Sequence, residues 1–246
     1  MTRYAIISDI HGNAEAMGAV AVDIRRNKTD CVICCGDVVG YGAEPDVCIS
    51  KVRELLSQYG ETPHVMGNHD KAVVTGNIVG FTREASIAAK WTHKTISCEG
   101  RNWLTESVTS CGDGDILFVH SSPTDPEEWN YLWTPEQVEK EYKSFTEQIC
   151  FVGHTHRPFI HTHRSRKFVP NTSSFHVPPD TQCLVNIGSV GQPRDGSSYA
   201  SYCIYDDTQR LISIRRVTYD VESAARKIYQ NDELPDILGE IGRASC

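Results

Sequence analysis

Two histidines, His154 and His156, stand two residues apart after an apolar pair and a glycine in FVGHTH, residues 151–156. Neutral imidazole is the commonest metal ligand. Alternate residues of an extended segment also point the same way when they are only exposed strand-end side chains. One His-x-His leaves both readings open, but four other apolar runs end in the same manner. Asp9 and His11 follow YAIIS, Gly36-Asp37 follows CVICC, Gly67-Asn68-His69-Asp70 follows HVM, and His120 follows DILFV. Each alone could be a turn, a helix cap or a satisfied loop residue. Five successive strand ends that all choose Asp, Asn or His, mostly beside a glycine that allows close backbone approach, point to one shared metal site.

The donor types narrow the metal. Asp9, Asp37, Asn68, His11, His120, His154 and His156 supply two carboxylates, one amide oxygen and four imidazoles. That set exceeds the usual four ligands of a zinc ion. With one carboxylate bridging, it makes two mixed nitrogen–oxygen shells, which suit Mn, Fe, Zn or Ni rather than oxygen-seeking calcium. Two divalent ions outweigh two aspartates in charge, so the pocket would attract phosphate.

The elements that must carry these residues follow from apolar periodicity. Strands are expected at 4–7, 31–35, 64–66, 116–119 and 149–152, with helices over 14–26 (Asn13 as N-cap), 45–58, 82–95, 101–107 and 135–147. Beyond the GHTH segment the pattern changes to strands joined by turns at 159–163, 167–169, 183–187, 199–205 and 211–218, closed by a short helix at 221–229. This predicts β-α units with a largely parallel sheet, then an antiparallel sheet. With no linker between them, residues 1–246 read as a single α/β domain. It would be a four-layer α-β-β-α sandwich of two mixed sheets with helices outside, its metal site at the strand carboxyl ends, where α/β folds bind ligands.

Composition sets outer limits. The chain has 246 residues, 39% hydrophobic and 23% charged, with a net charge of -8, and a pI near 5.7 with mean hydropathy -0.36. An acidic chain is a poor broad nucleic-acid binder. Ser8 and Asp9 interrupt the first apolar run too early for a signal peptide, and no run approaches the ~20 apolar residues of a membrane span. The expectation is a cytoplasmic protein without membrane association. The ten cysteines are scattered, several inside apolar runs, as reduced buried thiols would be. A homo-oligomer paired through a strand edge of the last third is left open.

In this order, DxH, GD, GNHD, a lone His and GHTH resemble the calcineurin-like metallophosphoesterase superfamily, from Asp9 to at least His156. The segment NIGSVGQPRDG (186–196) and the closing YDVESAARKI are similar to its small bacterial and archaeal phosphodiesterase-like branch. The resemblance implies Asp9, His11 and His156 on one metal, Asn68, His120 and His154 on the other, and Asp37 bridging both. It implies hydrolysis of a phosphate ester by a metal-bridging hydroxide, generated because two divalent ions acidify a shared water. It makes His69 the phosphate-contacting general acid, with Asp70 orienting its ring.

Departures from the pattern bear on substrate. The superfamily's protein Ser/Thr phosphatases and symmetrical dinucleoside-tetraphosphate hydrolases carry GDxxxRG, and here Tyr41 replaces that arginine. Arg194 could supply the missing cation or form a surface salt bridge. Asn13 is a further candidate substrate contact. Trp129, Tyr131 or Trp133, in the loop leaving His120, could stack on a nucleobase or pack the loop onto its own fold. The basic stretch Arg164-Ser165-Arg166-Lys167 reads as a solvated hairpin. The favoured function is a dinuclear-metal phosphoesterase acting on small phosphodiesters or nucleotides. Alternatives are a protein Ser/Thr or other phosphomonoester phosphatase, and a non-catalytic scaffold on the same fold.

Overall fold

The computed structural model describes residues 2–60, 62–164, 167–170 and 173–240; Ser165 and Arg166 of the basic stretch lie outside them. β1 (Arg3–Ile7) and β2 (Cys31–Cys34) pair in parallel around α1 (Ala14–Arg26), and α2 (Pro45–Ser57) follows with proline in its first turn. Strand alternation sorts β1 between two cores. Ala5 and Ile7 pack with Met17, Val20 and Ile24 of α1, while Tyr4 and Ile6 pack with Phe118 and Phe151 on the other side.

The third apolar run departs from expectation. Within residues 64–66 only Val65 makes a bridge, to Val108, and Asn68 opens a helix, α3 (Asn68–Thr75). Gly67 is its N-cap, and the Asp70 carboxylate returns to the Gly67 amide, so the helix start is satisfied locally. α4 (Arg83–Thr95) and α5 (Cys98–Thr105) start on the side-chain caps Thr82 and Ser97. The Ser97 cap places α5 three residues before the predicted start.

The remaining elements are β3 (Ser110–Asp113), β4 (Ile116–Val119), a 3-10 turn (Pro126–Glu128), α6 (Pro135–Glu141), β5 (Ile149–Val152), β6 (Phe159–Thr162), β7 (Lys167–Pro170), β8 (Ser174–His176), β9 (Cys183–Asn186), β10 (Ala200–Asp206), β11 (Leu211–Val217), α7 (Val221–Tyr229) and α8 (Ile237–Glu240). Neither β3 nor β8 stood out in the sequence. α6 stops at Glu141 instead of running to 147, because Tyr142 and Phe145 turn into the core with Val138.

One sheet runs β2-β1-β10-β11-β8 and the other β3-β4-β5-β9-β6-β7. The last third therefore forms no sheet of its own. β9 inserts between β5 and β6, and β10 lies antiparallel to β1. Both sheets are mixed. Tyr4, Ile33, Phe118, Phe151, Cys203 and Ile214 fill the space between them. α1 and α2 cover the outer face of the first sheet, and α6 that of the second. These are the four layers expected. Cys31 and Cys34, spaced as CxxC on β2, are both free thiols.

Candidate metal centre

The polar residues that follow β1, β2, β4 and β5 meet at one buried edge. The His11 and His156 Nε2 atoms are 3.0 Å apart. His156 Nε2 is 3.2 Å from Asp9 Oδ1. Asp37 Oδ2 lies 3.7 Å from His11 Nε2 and 3.3 Å from His120 Nε2, and His120 Nε2 lies 3.3 Å from Asn68 Oδ1. Three sets of side chains are each compact enough to surround one ion: Asp9, His11 and His156; Asp37, His120 and His154; and His11, Asp37 and His69.

The backbone is bent to aim them. Asp9, His11, Asp37, His154 and His156 all have φ between 49 and 65°, a left-handed region that costs a non-glycine residue energy and concentrates at functional sites. The bends are held by hydrogen bonds. His154 N donates to Asp9 Oδ2 at 3.0 Å, and His69 N donates to Asp37 Oδ1 at 2.8 Å. Glycines make room for them: a Cβ on Gly67 would collide with the Asp37 carboxylate, and one on Gly153 with Ser8 and Asp9.

Each of the four histidines gives one ring nitrogen to a backbone carbonyl. His11 Nδ1 donates to Val39 O at 3.1 Å, His120 Nδ1 to Cys35 O at 2.8 Å, His156 Nδ1 to Gln192 O at 2.6 Å, and His154 Nε2 to Trp129 O at 2.9 Å. A carbonyl accepts only, so the proton of each neutral ring is fixed on that nitrogen, and the other nitrogen turns its lone pair toward the cluster. Lone pairs facing carboxylates and one another need a cation among them. His120 shows this need: burial works against its charge, yet the Asp37 and then Asp9 carboxylates lift it to about 9. Burial instead pushes His154 down to about 3 and lowers His11 and His156. Asp37 is also buried, yet His120 and His69 hold its carboxyl well below the usual range. The donor set fits transition-type divalent ions.

The comparisons agree with this chemistry. The family model of the calcineurin-like phosphoesterase superfamily domain matches residues 2–210. The chain belongs to that superfamily. It is 37% identical over 241 residues to a protein of Methanocaldococcus jannaschii described as uncharacterized, covering 96% of this chain and 95% of that one. Among solved structures it is similar to a metallophosphoesterase from Sphaerobacter thermophilus, with TM-score 0.87 and 31% identity over 100% of this chain and 99% of that one. It shares the fold of a hypothetical protein from Pyrococcus horikoshii OT3, with TM-score 0.80 and 17% identity over 98% and 97% of the two chains.

Within this metallophosphoesterase the other expected residues divide. His69 is buried between Tyr41 and Phe81, with ring centroids 4.4 and 4.6 Å away. Its Nδ1 is buried without a hydrogen-bond partner, and burial pushes it down to about 4. Asp70 does not orient it. The Asp70 carboxylate accepts the amides of Val39 at 3.1 Å and Gly67 at 3.2 Å, so it braces the two ligand loops instead. Burial and the Asp37 charge raise Asp70 to about 7. Asn13 is not free for substrate either: its Oδ1 accepts from Ala16 N at 3.0 Å and its Nδ2 donates to Gly191 O at 2.9 Å. Arg194 does reach the site. Its guanidinium carbon sits 5.5 Å from the Tyr41 ring centroid, and Gln192 Oε1 accepts from its Nε at 3.2 Å. The Trp129 ring stands edge-on to His120, 6.0 Å away.

Three positioning residues carried no role in the sequence. Asn186 Nδ2 donates to Thr155 Oγ1 at 3.0 Å and also to Gly153 O, which holds the GHTH turn. Ser189 Oγ donates to Asp9 O at 2.8 Å. Both belong to the NIGSVGQ segment, whose small polar residues were the available signal. Phe81, against His69, had none.

Proposed function

We propose that this metallophosphoesterase hydrolyses phosphodiesters, with nucleotides as the favoured substrate class. In this reading Asp9, His11 and His156 hold one divalent ion, Asn68, His120 and His154 a second, and Asp37 lies between them. The observation that carries it is the set of four imidazoles, each pinned through one nitrogen to a backbone carbonyl and offering the other to two clusters around Asp37. When bound, such a pair of ions neutralises phosphate charge and lowers the pKa of water. In the reaction a water oxygen bonds to phosphorus, the ester P–O bond breaks, and the departing oxygen takes a proton.

His69 is placed to give that proton once the negative charge of the bound phosphate, set against the burial that otherwise keeps the ring neutral, has drawn a proton onto it. With Nδ1 sealed in the fold, Nε2 is the nitrogen left to meet the ester oxygen. Diesters are favoured over monoesters by charge. Burial raises the Tyr41 phenol, so position 41 is neutral where the Ser/Thr phosphatases have arginine. Arg194 is then the protein cation beside the cluster, a better match for a diester monoanion than for a monoester dianion.

The test strips metal, restores Mn, and compares kcat/KM for bis-p-nitrophenyl phosphate and p-nitrophenyl phosphate. The diester should be the better substrate. Preference for the monoester would make the protein a phosphomonoesterase. Two bound ions with no turnover of either ester would support a binding role.

A further inference from the structure

A groove of about 480 Å³ opens beside the metal centre. It adjoins the site through Thr155, which stands between His154 and His156, and through Arg194. One wall is aromatic and continuous with a site residue. Tyr131 stacks on the His154 ring at 3.9 Å, and Trp133 stacks on Tyr131 at 5.1 Å. Trp133 is nonetheless 44% exposed, so part of its ring is open to the groove. The rest of the wall is Leu132, Phe159 and Phe168.

The polar part of the groove is cationic. The Arg157 guanidinium carbon lies 5.5 Å from the Trp133 ring centroid, and Arg157 Nε donates to the Arg194 carbonyl at 2.9 Å. Asp195 also lines the groove, but Arg216 engages its carboxylate in an ion pair. Arg157 thus sets one guanidinium against the aromatic wall, while Arg194, held over Tyr41 by Gln192, sets a second at the end of the groove nearer the metal cluster, in a chain whose net charge is -8. Arginine forks suit phosphate and carboxylate, and an exposed tryptophan suits a planar ring.

Resting on the phosphodiesterase reading above, we infer that this groove binds one organic substituent of the diester. That substituent is a planar aromatic base linked to a second anionic group, as in a nucleotide carrying an additional phosphate. Trp133 selects the ring and Arg157 the second anion.

Three chromogenic diesters separate these parts: methyl p-nitrophenyl phosphate, the p-nitrophenyl ester of thymidine 5′-monophosphate, and the same ester with a 3′-phosphate. With the Mn-restored full chain, kcat/KM should rise about tenfold when methyl is replaced by thymidine, as stacking on one aromatic residue allows. It should rise again with the 3′-phosphate. Trp133→Ala should collapse the first preference ratio and Arg157→Ala the second. Equal kcat/KM for all three esters would overturn the inference. If none is hydrolysed, the phosphodiesterase reading fails, and the groove is judged by calorimetric binding of thymidine 3′,5′-bisphosphate. Binding weakened by both substitutions sustains the inference. No binding, or binding indifferent to both, overturns it.

Discussion

The two halves of the candidate metal centre are built differently. Around Asp9, His11 and His156, every restraint comes from the turns that end the strands. Val39 and Gln192 carbonyls fix the two rings, and Ser189 ties down the Asp9 carbonyl. Around His120 and His154, half of the restraint comes from the surface loop between β4 and α6. Trp129 supplies the carbonyl that fixes His154, and Tyr131, 41% exposed, covers its ring. The first half is therefore held by buried turns continuous with the core. The second depends on a loop that also forms a wall of the neighbouring groove. A substrate that engages the groove would press on the same loop that orients a metal-facing histidine.

The largest effect should come from the residue common to both halves. Asp37→Ala removes the carboxylate that faces His11 and His120, and should lose both ions and all measurable turnover. Metal analysis that found two ions retained would refute a shared role for Asp37. His69→Asn should separate chemistry from metal binding. The contact to Asp37 is made by the His69 backbone amide, so the substitution leaves it in place. Two ions should remain while kcat falls about a hundredfold or more, as for loss of a general acid. Turnover near that of the unaltered protein would remove His69 from the mechanism.

This division into halves was only partly legible in the sequence. Ligand types and their order were, because each follows a short apolar run and side-chain chemistry is local. Pairing was not. Nothing in the periodicity of residues 183–186 says that β9 enters between β5 and β6, since partner choice is a long-range property. The start of α3 was legible in principle: a glycine N-cap followed three residues on by Asp70, whose carboxylate accepts the Gly67 amide, marks a helix start, but the apolar residues before it suggested a strand ending there. The Asp70 side chain was misread because an acidic neighbour naturally suggests an ion-pair partner for His69. Its true partner at Val39 arrives from 31 residues away. Tyr131 was legible as an aromatic on a loop beside a metal ligand, but not as the cover of His154.

A smaller effect distinguishes the halves by proton release. His120, lifted to about 9 by Asp37 and Asp9 against its burial, holds a proton at pH 7 when no ion is present. A ligand must be deprotonated to bind, so filling its half should release that proton at pH 7 and release less as pH rises past 9. His11 and His156 are lowered, so filling the other half should release less. Calorimetric titration in buffers of different ionisation enthalpy measures this. Equal release from both sites would show that the two clusters titrate as one.

The finest test acts on the loop alone. Tyr131→Ala removes the ring stacked on His154 and leaves every direct ligand in place. If the loop orients His154, this substitution should weaken one of the two metal affinities by about tenfold, the lower end of what outer partners contribute, and leave the other unchanged. The site that weakens should be the one whose filling releases a proton, because His120 and His154 belong to the same cluster. Competition with a chelator resolves the two affinities. A uniform loss at both sites would mean that Tyr131 supports the whole edge, and no loss at either would mean that the Trp129 carbonyl holds His154 unaided.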